Sequence, residues 1–228
     1  MPTQPDSAVS SEISAPSSAP DTRPSIPVLR PKLPSADEIA PYLRSIDQLR
    51  IYSNVGPLSL RLLTELARHL GCSEDRLIMA ASATSGLTAA LLALNLPENA
   101  LCLMPSWTFA ATPHAALAAG LKPWFLDVQE RTWSLSPPIS KESIPPNVRA
   151  LIVVSPFGVP IDIRAWEKFQ DETNIPVIID AAAGFDTVRP SKLISVVSLH
   201  ATKIFAVSHV EQKASRALYE SCITTETI

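Results

Sequence analysis

The sequence predicts an α/β fold, a mostly parallel sheet sandwiched by helices. Three observations carry this reading. Short apolar runs alternate with longer segments at helical spacing along most of the chain. The runs are apolar throughout, as strands covered on both faces are. Helix-start and helix-stop chemistry falls between them, so that strand, helix and strand follow one another.

The elements come in this order. Residues 1 to about 25 are mostly Ser, Pro, Ala, Thr and Asp, with almost no large apolar side chains. Such a segment cannot bury enough surface to offset its ordering entropy, and it reads as a disordered tail. A folded domain is expected over 26–207, followed by an atypical C-terminal tail over 208–228. In Pro34-Ser35-Ala36-Asp37-Glu38, Ser35 is an N-cap with Glu38 three residues on, which starts a helix to about Ile46. Leu62, Leu63, Leu66, Ala67 and Leu70 form one face of a helix over 58–70, and Gly71 ends it. Strands are expected at 76–81, 100–104 and 122–128, separated by a helix at 85–95 and another ending at Gly120. After a proline-rich stretch, 149–154 is a nearly pure apolar strand. The segment 162–172 is an amphipathic helix with Ile163, Trp166 and Phe169 inward. The last two strands are expected at 176–180 and 193–199. The final segment, 214–221, reads as a short helix.

Composition narrows the function. The chain has 228 residues, 46 % hydrophobic and 18 % charged, with a net charge of −3. That supplies a sizeable core and lacks the basic footprint of a nucleic-acid binder. Cys72, Cys102 and Cys222 are far apart, without disulfide-framework or metal-ligand spacing, and His69, His114 and His209 have no partner at such spacing either. No basic and apolar leader is present, and no apolar run reaches the roughly 18 residues of a membrane helix. The expectation is a reduced, cytoplasmic setting with no metal, membrane or nucleic-acid partner.

In parallel sheets ligands sit beyond the carboxyl ends of the strands. The chemistry-bearing residues cluster there. Ser82-Ala83-Thr84-Ser85-Gly86 joins a strand to a helix; its N–H groups and hydroxyls suit a phosphate or simply cap the helix. Pro105-Ser106-Trp107-Thr108-Phe109 places two aromatics at a strand end, either core or a stacking surface for a flat ring. Asp180 ends a buried strand, where a carboxylate needs a partner: a protonated ring nitrogen, a cap or a salt bridge. Lys203 follows the last strand in Ser198-Leu199-His200-Ala201-Thr202-Lys203. Such a lysine is a surface charge or an amine poised to condense with an aldehyde.

Taken with Tyr52-Ser53-Asn54-Val55-Gly56-Pro57-Leu58, Gly158-Val159-Pro160-Ile161-Asp162 and Asp180-Ala181-Ala182, these segments resemble the DegT/DnrJ-type sugar aminotransferases over about 26–207. That is a branch of the fold-type I enzymes that use pyridoxal 5'-phosphate. The resemblance implies that Lys203 is the Schiff-base lysine and Asp180 the acid paired with the pyridine nitrogen. It implies that Phe109 stacks on the ring, and that Ala83, Thr84, Ser85 and Ser198 hold the phosphate. It further implies a homodimer, an amino donor such as glutamate or glutamine, and a keto sugar, nucleotide-linked, as acceptor. Three positions depart from the family's pattern. Ala83 replaces a glycine at the phosphate turn, and Ala183 replaces a glutamine three residues after Asp180. After Lys203-Ile204-Phe205-Ala206-Val207 the family's glycine-rich segment and smaller domain have no counterpart, so the resemblance is to a C-terminally truncated member. Two readings follow: a transaminase, or a catalytically impaired remnant that still binds the cofactor. A dinucleotide-binding domain is disfavoured, since no GxGxxG follows the first strand.

Overall fold

The computed structural model of the protein describes residues 31, 33–52, 55–138, 144–203 and the strand 222–225. The expected N-terminal tail, the helix at 214–221, His209 and the Ser53-Asn54 part of the second motif lie outside them.

The described residues form α-helices and strands in the following order. They are α1 (Ala36–Leu49), α2 (Pro57–Leu70), β1 (Leu77–Ala80), α3 (Ala83–Ala93), β2 (Leu101–Pro105) and α4 (Ala111–Ala118). Then come β3 (Lys122–Leu126), β4 (Val148–Val154), α5 (Ile163–Thr173), β5 (Val177–Ala181), β6 (Ile194–Ser198) and β7 (Cys222–Thr225). The sheet has seven strands in the order β1-β7-β6-β5-β4-β2-β3. The central ladders from β3 through β6 are parallel, and β7 runs antiparallel between β6 and β1. The expected parallel α/β architecture is therefore present.

Alternation along the strands divides the core into two layers. Cys102, Met104, Ala150, Ile152, Ile178 and Val196 point to the layer that holds Leu87 and Leu91 of α3 and Ala115 and Ala116 of α4. Their neighbours Leu103, Leu151, Val153, Val177, Ile179 and Val197 point to the other layer, with Leu62, Leu66 and Leu70 of α2 and Trp166 and Phe169 of α5. Trp166 and Phe169 meet edge to face at 5.3 Å and are both fully buried, as their helical spacing predicts. Ile163 is only partly buried.

Local chemistry sets the helix ends. Ser35 and Glu38 form the anticipated capping box, and α1 runs to Leu49, three residues beyond the expected end. None of its side chains is buried, so capping rather than packing defines it within the described residues. Gly71 closes α2 at φ +72°, a left-handed conformation that a Cβ disfavours. The sequence reading had no strand within 208–228. Cys222-Ile223-Thr224-Thr225 nevertheless pairs on both sides, Thr225 opposite Ser195 of β6 and Leu77 of β1. Three β-branched residues in four suit a strand, but a run this short and partly polar carries little periodic signal.

Burial also sets thiol reactivity. Cys102 lies wholly inside the α3/α4 layer, and desolvation pushes its thiol up to about 12. In native protein at pH 8 the Cys102 thiol should stay unmodified by a maleimide, and unfolding in guanidinium should expose it. Peptide mapping of the labelled chain is the check.

Candidate active site

The carboxyl ends of β1, β2, β4, β5 and β6 converge on one cavity of about 610 Å³. Of the residues singled out from sequence, Ala83, Thr84, Phe109, Asp180, Ser198 and Lys203 all line it. Ser85 does not. Its hydroxyl is used inside a capping box at the start of α3, accepting from Ser82 N at 2.9 Å and donating to Ser82 O at 2.8 Å. Ser85 thus fixes the turn that presents Ala83 and Thr84. Thr84 makes no side-chain hydrogen bond among the described residues, which leaves its hydroxyl available to a ligand.

Asp180 is 5 % exposed. Its Oδ2 accepts from Thr112 Oγ1 at 2.8 Å and its Oδ1 from Ala182 N at 3.1 Å. Burial pushes its carboxyl above the usual range, while these two donors and the more distant Lys203 ammonium pull it back. Among the described residues, none of the salt bridges includes Asp180. A buried carboxylate held by donors and lacking a paired cation is suited to a cationic ligand group.

Lys203 reaches the cavity from the turn after β6, where its N–H donates to His200 O at 2.8 Å. In the same turn Ser198 Oγ accepts from His200 N at 3.3 Å, and His200 Nδ1 lies 2.8 Å from Thr202 Oγ1. Of the other described lysines, Lys192 pairs with Asp171, Lys168 pairs with Glu172 at 3.7 Å, and Lys122 opens β3 outside the cavity lining. Lys203 alone among the described lysines lines the cavity.

Aromatic rings also line the cavity. Phe109 is 79 % exposed at the cavity. Trp107 stands edge-on to Trp133 at 4.6 Å, with Phe157 6.5 Å and 6.2 Å from the two. Trp133 and Phe157 both have positive φ, 58° and 53°, a conformation costly for bulky side chains. Sequence pattern placed Trp107 at a strand end, but gave no sign of Trp133, Phe157 or Thr112. Phe157 joins the site, and Trp133 packs behind it and Trp107, through loop conformations that no periodicity encodes. The one cue for Thr112 is its position a helical turn beyond Thr108.

Beside Asp180 the turn is tight. A Cβ on Gly184 would come within 2.8 Å of both Ser155 Oγ and Thr187 Oγ1. Those hydroxyls donate to Val159 O at 2.6 Å and Gly184 O at 2.8 Å. Gly184→Ala should therefore cost about 1–3 kcal/mol through overpacking and broken hydrogen bonds. A lower urea midpoint at unchanged slope would show it; an unchanged midpoint would mean that the loop yields freely.

A model of the DegT/DnrJ/EryC1/StrS aminotransferase family matches residues 35–209. The chain is 32 % identical over 185 residues to dTDP-4-amino-4,6-dideoxy-D-glucose transaminase of Shigella dysenteriae, covering 78 % of this chain and 49 % of that one. It is 31 % identical over 211 residues to Protein Rv3402c of Mycobacterium tuberculosis, covering 86 % and 50 %. Among solved structures, it is similar to DesI crystallised with its TDP-sugar product, with TM-score 0.69, 28 % identity and coverage of 86 % and 48 %. The aminotransferase TlmJ of Streptoalloteichus hindustanus shares the fold at TM-score 0.74 and 21 % identity, over 90 % and 54 %. The chain spans about half the length of the curated relatives it matches.

Proposed function

We propose, from the premise that this chain belongs to the DegT/DnrJ/EryC1/StrS aminotransferase family, that it is a pyridoxal-phosphate-dependent transaminase passing an amino group from an amino acid to a keto sugar. The observation that carries this reading is the single cavity holding Lys203, the buried Asp180 and the exposed face of Phe109 together. The residues present fit the cofactor. Asp180 lacks a cationic partner among the described residues, and a protonated pyridine nitrogen is such a partner. Thr84, the Ala83 N–H at the start of α3 and Ser198 offer donors for a phosphate.

When bound, pyridoxal phosphate supplies an electron sink for the substrate's α-carbon and a temporary store for the amino group. The chain's own side chains do the rest. Lys203 would hold the cofactor through its amine and would serve as the base that moves a proton at the substrate's α-carbon. Asp180, as an anion, would hold the cofactor's protonated ring nitrogen. Phe109 would pack against the cofactor's ring and help exclude water. The Trp107 and Phe157 rings, backed by Trp133, offer a surface for the apolar face of the acceptor sugar. Glutamate or glutamine is the proposed donor and a nucleotide-linked keto sugar the acceptor, within cell-surface polysaccharide or secondary-metabolite synthesis. The proposed assembly is a cytoplasmic homodimer. Among the described residues no helix is long and apolar enough to cross a membrane.

The test is amination of a dTDP-linked 4-keto-6-deoxyhexose by the chain supplied with pyridoxal phosphate and glutamate. Formation of the amino sugar supports the reading. One equivalent of 2-oxoglutarate per chain without amino sugar would show another acceptor, and no 2-oxoglutarate would show the cofactor-binding remnant.

A further inference from the structure

We propose that Thr108 and Thr112 form a hydroxyl relay that positions Asp180 and keeps it anionic, making Thr112 a positioning residue for the site. This rests on the proposed function for its purpose, though not for its geometry.

Thr112 sits in the first turn of α4 and is fully buried. Its Oγ1 donates to Asp180 Oδ2 at 2.8 Å and lies 2.6 Å from Thr108 Oγ1. A hydroxyl carries one proton. With that proton committed to an ionised Asp180, Thr112 can only accept from Thr108. Thr108 must then donate to Thr112, and its 3.4 Å approach to Phe109 O is secondary. The chain of donors thus runs Thr108 to Thr112 to Asp180. Its direction depends on the carboxylate, because a protonated Asp180 would itself become a donor.

Two consequences follow for the site. Charge-assisted donation to a buried carboxylate is stronger than a neutral hydrogen bond and offsets part of its desolvation. The relay also ties β5 to the loop that carries Trp107 and Phe109, because Thr108 lies between them in sequence. The aromatic wall and the acid are therefore held in register by two hydroxyls. The titratable groups sharing the cavity with Asp180 are Lys203 and His200, both from the turn after β6. The lining residues of α3, α4 and β4 carry no titratable side chain. Among the described residues, Thr112 is thus the one side chain that donates a hydrogen bond to this carboxyl.

The experiment uses the full chain, free of cofactor, with carboxyl-13C aspartate, and Asp180→Asn to assign the signal. Thr112→Val removes the hydroxyl at nearly constant volume, and Thr112→Ser keeps it. The titration midpoint of Asp180 is expected to rise in Thr112→Val and return to the wild-type value in Thr112→Ser. Equal midpoints in all three proteins would overturn the relay. Should Thr112→Val fail to fold, Thr108→Val is expected to move the midpoint upward by less, and no movement there overturns the proposal equally. With cofactor added, Thr112→Val should bind pyridoxal phosphate about tenfold more weakly, the scale of one lost charge-assisted hydrogen bond. If the wild-type chain binds no cofactor, the proposed function fails, while the carboxyl titration still decides the relay.

Discussion

Lys203→Ala leaves the chain with no cofactor covalently attached. After incubation with pyridoxal phosphate and borohydride reduction, wild-type protein should carry one phosphopyridoxyl group on the peptide containing Lys203, and the variant none. The expectation rests on position. Lys203 alone among the described lysines lines the cavity, and it lies across from a buried carboxylate that favours positive charge nearby. Lys192 and Lys168 are held in surface ion pairs. Transamination should fall by at least about 10²–10⁴-fold, since under the proposed function the same amine both attaches the cofactor and moves the proton. A reducible adduct that persists in the variant, on whatever lysine, contradicts the assignment. Added methylamine should restore part of the rate, because a free amine can enter the space the side chain vacates and carry the proton.

Asp180→Asn has two effects of opposite sign. Its activity should drop roughly a hundredfold or more, the scale of losing one preorganised electrostatic contact at a reacting group. Its stability without cofactor should rise. Burial lifts the Asp180 carboxyl above its ordinary value of 3.8, so the native state holds its proton more tightly than the unfolded chain. Unfolding therefore releases a proton in the window above 3.8 and below the raised native value, and stability declines as pH climbs through it. Asparagine removes that penalty. At neutral pH the variant's melting temperature should exceed that of wild type by several degrees, about 2–4 °C per kcal/mol for a chain of this size. Below the window the two should coincide. Thermal scans from pH 3 to pH 8 test this, and a variant that melts lower than wild type at neutral pH would mean the hydrogen bonds to the carboxylate outweigh its desolvation.

These two residues show how much the sequence carried. Asp180 was visible because it ends a run of apolar residues, and a charge at the end of a buried strand needs a reason, whereas Lys203, in the turn after β6, stands out only through the resemblance its motif carries. The same runs gave the parallel sheet, since strands covered on both faces must be apolar throughout. Ser35 and Gly71 marked helix ends because capping is local chemistry, settled within four residues. Legibility failed where structure depends on distant partners. Ser85 looked like a phosphate ligand, yet its hydroxyl closes the capping box with Ser82. The sequence cannot tell which of two neighbouring hydroxyls turns back to the helix. Phe157 and Trp133 join the aromatic wall through left-handed backbone conformations that bulky residues seldom adopt. The strand at 222–225 is recognised only through its partners Ser195–Ser198 and Leu77–Ala80, more than twenty residues away.

The central claim is that the cavity beyond the sheet takes pyridoxal phosphate on Lys203 and exchanges amino groups there. The most direct test is the absorbance spectrum of the purified wild-type chain with pyridoxal phosphate, before and after glutamate. The account predicts a visible band from the lysine-bound cofactor that bleaches when glutamate is added and returns with 2-oxoglutarate. A band that ignores glutamate, or no band at all, contradicts it.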